Sequence, residues 1–363
     1  MKMRKESARR GGAWEGGKTR LIRGIAYGLS GGLLAACPPA GVASLGQAGV
    51  IGPRAGAVPD YDFDWATIGD PGNRGVLSEE APLDVNVRGR GSVGYAYRMA
   101  TTEVTTGQWL EFVNAYSPYF DRTKEQEAFF ASQNIGFDPL LGRWTLIAGT
   151  ENVPAKGMSW RFAARYVNWL NNSKAITRDA FETGAYDTST FTKNADFTLN
   201  DQSTRSPGSQ FWIPSLDEWI KAVYYDPDKN GPGDSGYWLY PNASDEPLVS
   251  GLPGEPGAQT SADLTFFAKL DVGSYPDVSA PWGLFDTSGG VAEWTEELNL
   301  SGSRHISKGT STAMGDSFLF DRLDATISGS DGLRLASVVP EPHTITIALL
   351  CIISCTGRRR RMR

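Results

Sequence analysis

"WGLFDTSGGVAEWTEE", residues 282–297, crowds two tryptophans, three glycines and four acids into sixteen positions. Asp286-Thr287-Ser288-Gly289-Gly290 is turn chemistry, so Asp286 reads as a turn-forming residue rather than an acid catalyst. Trp282 and Trp294, with Trp219 and Trp160 elsewhere in the chain, read as core aromatics. Reactive partners for these acids are scarce nearby. The stretch therefore speaks first for a particular kind of fold and only then for a site.

Working outward, the 363-residue chain is 40% hydrophobic and 11% aromatic, ample for a buried core. Its 42 glycines and 21 prolines are spread without period, which predicts short elements joined by long irregular segments. Three helices follow from pattern. In "TTGQWLEFVNAY" Thr105 and Gln108 form a capping-box pair ahead of Trp109, Phe112, Val113 and Tyr116. In "SWRFAARYVNWLNN" Ser159 caps a helix with Phe162, Ala163, Tyr166, Val167 and Leu170 on one face. In "PSLDEWIKAVYY" Ser215 and Glu218 make a second capping box, with Glu218 read as a cap. Strand-like runs are short, at 95–104, 142–148 and 332–337, and the segments 171–210 and 226–281 read as loops. The expected class is α+β, loop-rich, with few short strands and about three helices, in one domain over 60–337.

The ends differ from the middle. Residues 1–23 hold eight Lys/Arg against two Glu, and the apolar, small-residue run 24–48 completes the pattern of a secretory signal over 1–48, with a buried N-terminal helix as the alternative. Leu34-Ala35-Ala36-Cys37 resembles a lipobox, which makes Cys37 a lipidation candidate, and Gly46-Gln47-Ala48 offers a simple cleavage site. Residues 339–363 combine Val339-Pro340-Glu341-Pro342, an apolar run and Arg358, Arg359, Arg360 and Arg361. That order resembles a PEP-CTERM sorting signal. The resemblance implies transient inner-membrane anchoring by a short transmembrane helix, an exosortase-type processing protease as partner, and delivery to the cell surface or extracellular matrix. An ordinary tail anchor is the other reading. With both basic ends set aside, the remaining core is strongly acidic, which argues against nucleic acid. The three cysteines, Cys37, Cys351 and Cys355, all lie in the end segments, so the domain between them has no disulfide, thiolate metal site or cysteine nucleophile.

Five blocks of the middle resemble the formylglycine-generating enzyme, or sulfatase-modifying factor, domain. They are Tyr97-Arg98-Met99 with Glu103-Val104-Thr105; "VPAKGMSWRFAARYVNWLN"; "WIPSLDEWIKAVYY", similar to Arg-Leu-Pro-Thr-Glu-x-Glu-Trp-Glu-x-Ala; "WGLFDTSGGVAEWTEE", similar to Gly-Leu-x-Asp-Met-x-Gly-Asn-Val-x-Glu-Trp; and "GLRLAS". The resemblance implies a C-type-lectin-like fold. It also implies copper held by two cysteines just before the last block, yet residues 307–334 contain none, so no copper and no catalytic residue are expected. Histidine-bound iron, as in related sulfoxide-forming enzymes, needs two histidines; the chain has His305 in the domain and His343 in the sorting segment. The calcium sites associated with the family point to Glu293 as a candidate calcium ligand, although Gly290 stands where the signature has Asn; the competing reading is that Glu293 caps buried backbone amides. The expectation is an exported, non-catalytic binding or matrix protein that offers the loops 226–260 and 300–330 to a glycan or protein ligand. The alternative is an enzyme of the same superfamily with a cysteine-independent chemistry.

Overall fold

In the computed structural model of the chain, the structure describes residues 58–310, apart from 82–86, 124, 126–129, 263 and 265–268, together with residues 331–341. In chain order the strands are β1 Trp65–Ile68, β2 Tyr97–Ala100, β3 Ile135–Asp138, β4 Arg143–Leu146, β5 Phe211–Trp212, β6 Tyr225–Asp226, β7 Gly236–Tyr237, β8 Ala292–Leu298, β9 His305–Lys308, β10 Asp331–Gly332 and β11 Ala336–Ser337. The α-helices are α1 Thr106–Tyr116, α2 Trp160–Asn171, α3 Arg178–Glu182 and α4 Leu216–Tyr224. The α+β class stands. The segment 171–210 is not all loop, however, because Thr177 caps the short α3 through Ala180 N. Five residues are too few to show an amphipathic period, which is why the sequence pattern predicts three helices where the described residues hold four.

The helix starts fall where the capping signals put them. Thr105 and Gln108 close one capping box, Ser215 and Glu218 the other, and Ser159 accepts from Phe162 N. Each satisfies backbone N–H groups that the first turn leaves without partners.

A four-stranded sheet, ordered β1-β2-β11-β5, separates two hydrophobic clusters. Successive strand residues face opposite sides. Thus Tyr97, Met99, Trp212 and Ala336 join the cluster around α4, and Phe211 joins the aromatic cluster between α1 and α2. In that second cluster Trp109, Phe112, Tyr116, Tyr166 and Phe181 meet in tilted, edge-on and stacked ring contacts.

The stretch 282–297 becomes a turn followed by β8, the middle strand of a second sheet ordered β10-β8-β9. Its pairing with β9 is irregular. Glu293 and Trp294 sit opposite Lys308 and Ser307, but Leu298 sits opposite His305, so extra residues are accommodated on β8 between them. Such a bulge breaks the alternation of sides. The run "GLRLAS" is not one strand, because β10 pairs with β8 while β11 pairs with β2 and β5. It stitches the two sheets together through Arg334.

Candidate functional site

Two polar constellations are built on these elements. The first lies behind the signature turn and is closed to solvent. Arg334 donates to Glu293 Oε1 from Nε at 2.9 Å and from Nη2 at 2.7 Å, and to the carbonyls of Ala100 and Phe285. Trp219 Nε1 donates to Glu293 Oε2 at 2.7 Å. Glu103 lies 3.9 Å from the same guanidinium, and Gly273 N donates to Asp286 Oδ2. Burial, reinforced by the negative Asp286, pushes the Glu103 carboxyl well above the usual range, and burial raises Asp286 too. Three buried acids around one arginine cannot all be ionised cheaply, so Glu103 holds its proton.

Glu293, the candidate calcium ligand, is therefore turned to Arg334 and Trp219 rather than to backbone amides. A cation there would have to compete with Arg334 for Oε1. Trp160, Trp219 and Trp294 are buried as core aromatics, whereas Trp282 is half-buried against the α4 cluster. Asp286 does turn the chain, at φ 55. Among the described residues no three His, Cys, Asp or Glu side chains converge to hold a metal ion.

The second constellation floors an open cleft of about 920 Å³ between Tyr95, the loop 203–209, the bulge of β8 and the segment 338–341. Arg205 organises it. Its guanidinium lies 4.0 Å over the Trp212 ring and reaches Glu218 from both terminal nitrogens, at 3.0 and 3.3 Å. Where the related motif is written with arginine ahead of Leu-Pro-Thr, this chain has Trp212, and Arg205 brings a guanidinium to the same Glu218 from a different loop. Tyr95 donates its hydroxyl to Glu218 Oε1 at 2.7 Å while accepting from Arg205 Nη2. Burial and the neighbouring Glu218 push that phenol up to about 12.

Glu296 holds the loop from the other side. It accepts from Arg205 N at 2.8 Å and from the Tyr186 hydroxyl at 2.8 Å. Burial raises its carboxyl to about 7, against the pull of Arg205. The bulge lets adjacent residues Glu296 and Glu297 both line the cleft, which a regular strand would forbid. Ser203, Thr204, Ser206 and Ser209 supply hydroxyls along the rim.

Of the residues read from sequence as sorting signals, Val339 and Glu341 flank this cleft. Pro340 is described beside them, while Pro342, Arg358 to Arg361 and Cys37 lie outside the described residues. The loop 300–330 is described only to Thr310, and the cleft is formed by 203–209 rather than by 226–260. Tyr95, Arg205 and Glu296 were not legible as a site. Ser-Pro-Gly at 206–208 signals a turn, but nothing in the sequence pairs that turn with residues ninety positions away. No described helix is long and apolar enough to cross a membrane, and the apolar run near the C-terminus lies outside the described residues.

An α+β domain of small sheets, knitted by a buried Arg–Glu–Trp centre behind a Gly-Leu-x-Asp turn, defines the class. The chain belongs to the FGE-sulfatase family: the sulfatase-modifying factor enzyme 1-like domain matches residues 88–334. Among solved structures it is similar to the crystal structure of CarF, at 16% identity and TM-score 0.43 over 78% of this chain and 99% of that one. It is also similar to Treponema denticola variable protein 1, at 17% identity and TM-score 0.46 over 76% of this chain and 95% of that one. No curated protein matches.

Proposed function

We propose that this domain is an exported, non-catalytic binding module that presents the Tyr95–Arg205–Glu296 cleft to a hydroxyl-rich glycan or a polar protein segment at the bacterial cell surface. The observation that supports it most is the commitment of the acids beneath the cleft. Glu218 spends both oxygens on Trp212, Arg205, Tyr95 and the Ser215 amide, and Glu296 is tied to Tyr186 and the Arg205 amide. A carboxylate committed as fully as Glu218 holds a surface in shape rather than moving a proton on a ligand. The missing thiols between Lys308 and Arg334 agree with this reading. Glycan-array binding with the purified protein tests it. Binding should fall at least about tenfold in Tyr95→Ala, which removes an exposed ring and a rim hydroxyl. Array binding that ignores this change, or turnover of a bound glycan, would refute it.

Delivery to the surface rests on the two end segments. The run from Ile345 to Cys355 spans about 16 Å as a helix, roughly half of a 30 Å hydrocarbon core. Such a segment can engage a membrane protease but would anchor a finished protein poorly. Intact-mass analysis of surface-extracted protein should find the chain ending near Val339 and starting near Gly49. A full-length chain ending in Arg363 would instead mark a tail anchor, and a diacylglyceryl-cysteine start would assign Cys37 to lipidation. The calcium reading of Glu293 requires a rise in melting temperature in millimolar calcium that Glu293→Gln abolishes.

A further inference from the structure

The hairpin β3–β4 ends in the tip Phe137-Asp138-Pro139-Leu140-Leu141-Gly142, which takes no part in the core or the cleft. Leu140 is 94% exposed, Leu141 59% and Phe137 45%. No other five-residue stretch among the described residues exposes three large apolar side chains. Single exposed leucines are ordinary, but a group of them at the end of a hairpin marks a contact. The tip is also held firmly. Trp144 N donates to Asn114 Oδ1 at 3.1 Å, Asn114 Nδ2 donates to the Trp144 carbonyl at 3.2 Å, and Trp144 Nε1 donates to Ser117 Oγ at 3.1 Å, so β4 is clamped to the end of α1. Phe137 packs edge-on against Trp144 with centroids 5.4 Å apart. In the turn, Asp138 Oδ1 accepts from the amides of Leu140 and Leu141 at 2.8 and 3.1 Å. With that carboxylate spent on its own turn, the outward charge at the tip is the exposed Arg143, opposite Asp138 in the strand pairing.

Shape, area and charge select the partner. The three side chains expose on the order of 400 Å², about half of the ~800 Å² that each partner buries in a stable protein interface. That is too little to hold a second copy of the chain. The tip is convex, so a protein partner would need a preformed pocket for Leu140, whereas a fluid bilayer accepts a few apolar side chains beneath a cationic group without one. The acidic remainder of the domain is repelled by an anionic surface, which leaves a protruding tip with Arg143 as the part able to touch it. The apolar run from Ile345 to Cys355, read above as a transient membrane anchor, would raise the local concentration of the tip at that surface. We infer that the β3–β4 tip is a lipid-contact site, dipping Phe137, Leu140 and Leu141 into a bilayer with Arg143 at the headgroups of anionic phospholipids. The inference does not depend on what the cleft binds.

The test uses the full-length chain with Cys37, Cys351 and Cys355 each replaced by serine, so that Leu140→Cys takes a single environment-sensitive nitrobenzoxadiazole label. On vesicles of phosphatidylethanolamine and phosphatidylglycerol the label at 140 should shift to the blue and be quenched by lipids spin-labelled on the acyl chain. A label at Leu252→Cys, on an exposed loop elsewhere, should do neither. Leu141→Gln should lower the inserted fraction at 140 about tenfold. Arg143→Gln should lower it about fivefold on these vesicles and leave it unchanged on phosphatidylcholine alone. Positions 140, 141, 143 and 252 are all exposed, so the fold is not at stake in these variants. Vesicle-bound protein whose label at 140 stays in water overturns the inference. Equal quenching at 252 does the same, since it means unspecific adsorption, and so does a blue shift at 140 that grows with protein concentration in the absence of lipid, which would assign the tip to a second copy.

Discussion

Gly290 stands where the related signature carries Asn, and its neighbourhood explains the difference. A Cβ built at 290 runs into Glu103 Oε1, and the backbone there has φ +56. The carboxyl of Glu103 thus fills the space that an asparagine side chain would take. Because Glu103 is wholly buried, it has little room to swing away. Gly290→Ala should therefore destabilise the domain by about 1–3 kcal/mol from overpacking, with about 1 kcal/mol more from the left-handed backbone. Urea unfolding measures this. Glu103→Ala in the same chain should recover part of the loss, and additive effects would show that the two positions do not meet. That Gly290 departs from the signature is legible in the sequence. What fills the gap is not, because Glu103 lies 187 positions earlier, where it reads as part of a strand end.

At the scale of elements, the sequence speaks clearly wherever the physics is local. Ser215 and Glu218 are three residues apart, and that spacing alone implies reciprocal bonds to each other's backbone amides. Ser215→Ala should cost about 1 kcal/mol, the usual loss of an N-cap. The cleft floor is the opposite case, since it is assembled from Tyr95, Arg205, Trp212, Glu218 and Glu296, which no periodic pattern connects. "GLRLAS" shows the same limit. Its alternation suggests one strand, but Arg334 turns inward to Glu293 between buried Leu333 and Leu335, and the pairing changes sheets around it. Arg205→Met keeps much of the stack on Trp212 but strips Glu218 of its cation. Leaving a buried carboxylate uncompensated should cost about 3–5 kcal/mol, well beyond the cap. Chemical denaturation of both variants should preserve that order; equal losses would mean that Arg205 is held there without supporting the fold.

Across the whole molecule the buried titratable groups set how stability follows pH. Glu296 has its carboxyl raised from 4.5 to about 7, so the folded chain keeps a proton that the unfolded chain releases above pH 4.5. Its stabilising share is full below that pH and is lost as pH rises through 7, a change of about 3 kcal/mol. Glu103, Asp286 and Asp201 are raised as well and act in the same direction. His305 acts oppositely. Its imidazole is lowered from 6.5 to about 3, so the unfolded chain takes up a proton below 6.5 that the folded chain refuses, and stability falls as the solution becomes more acid. Between about pH 4.5 and 6.5 the His305 slope offsets only one of these carboxyl slopes, so the decline with rising pH prevails there. Denaturation midpoints should accordingly decline from pH 6 to pH 8. Glu296→Gln keeps a neutral group of the same shape beside Tyr186 and Arg205, and it should shrink the change between pH 5 and 7 by up to about 2 kcal/mol. A variant whose pH profile overlays that of the wild type would mean that Glu296 is ionised in the folded protein throughout, with Arg205 stabilising its charge more strongly than burial opposes it.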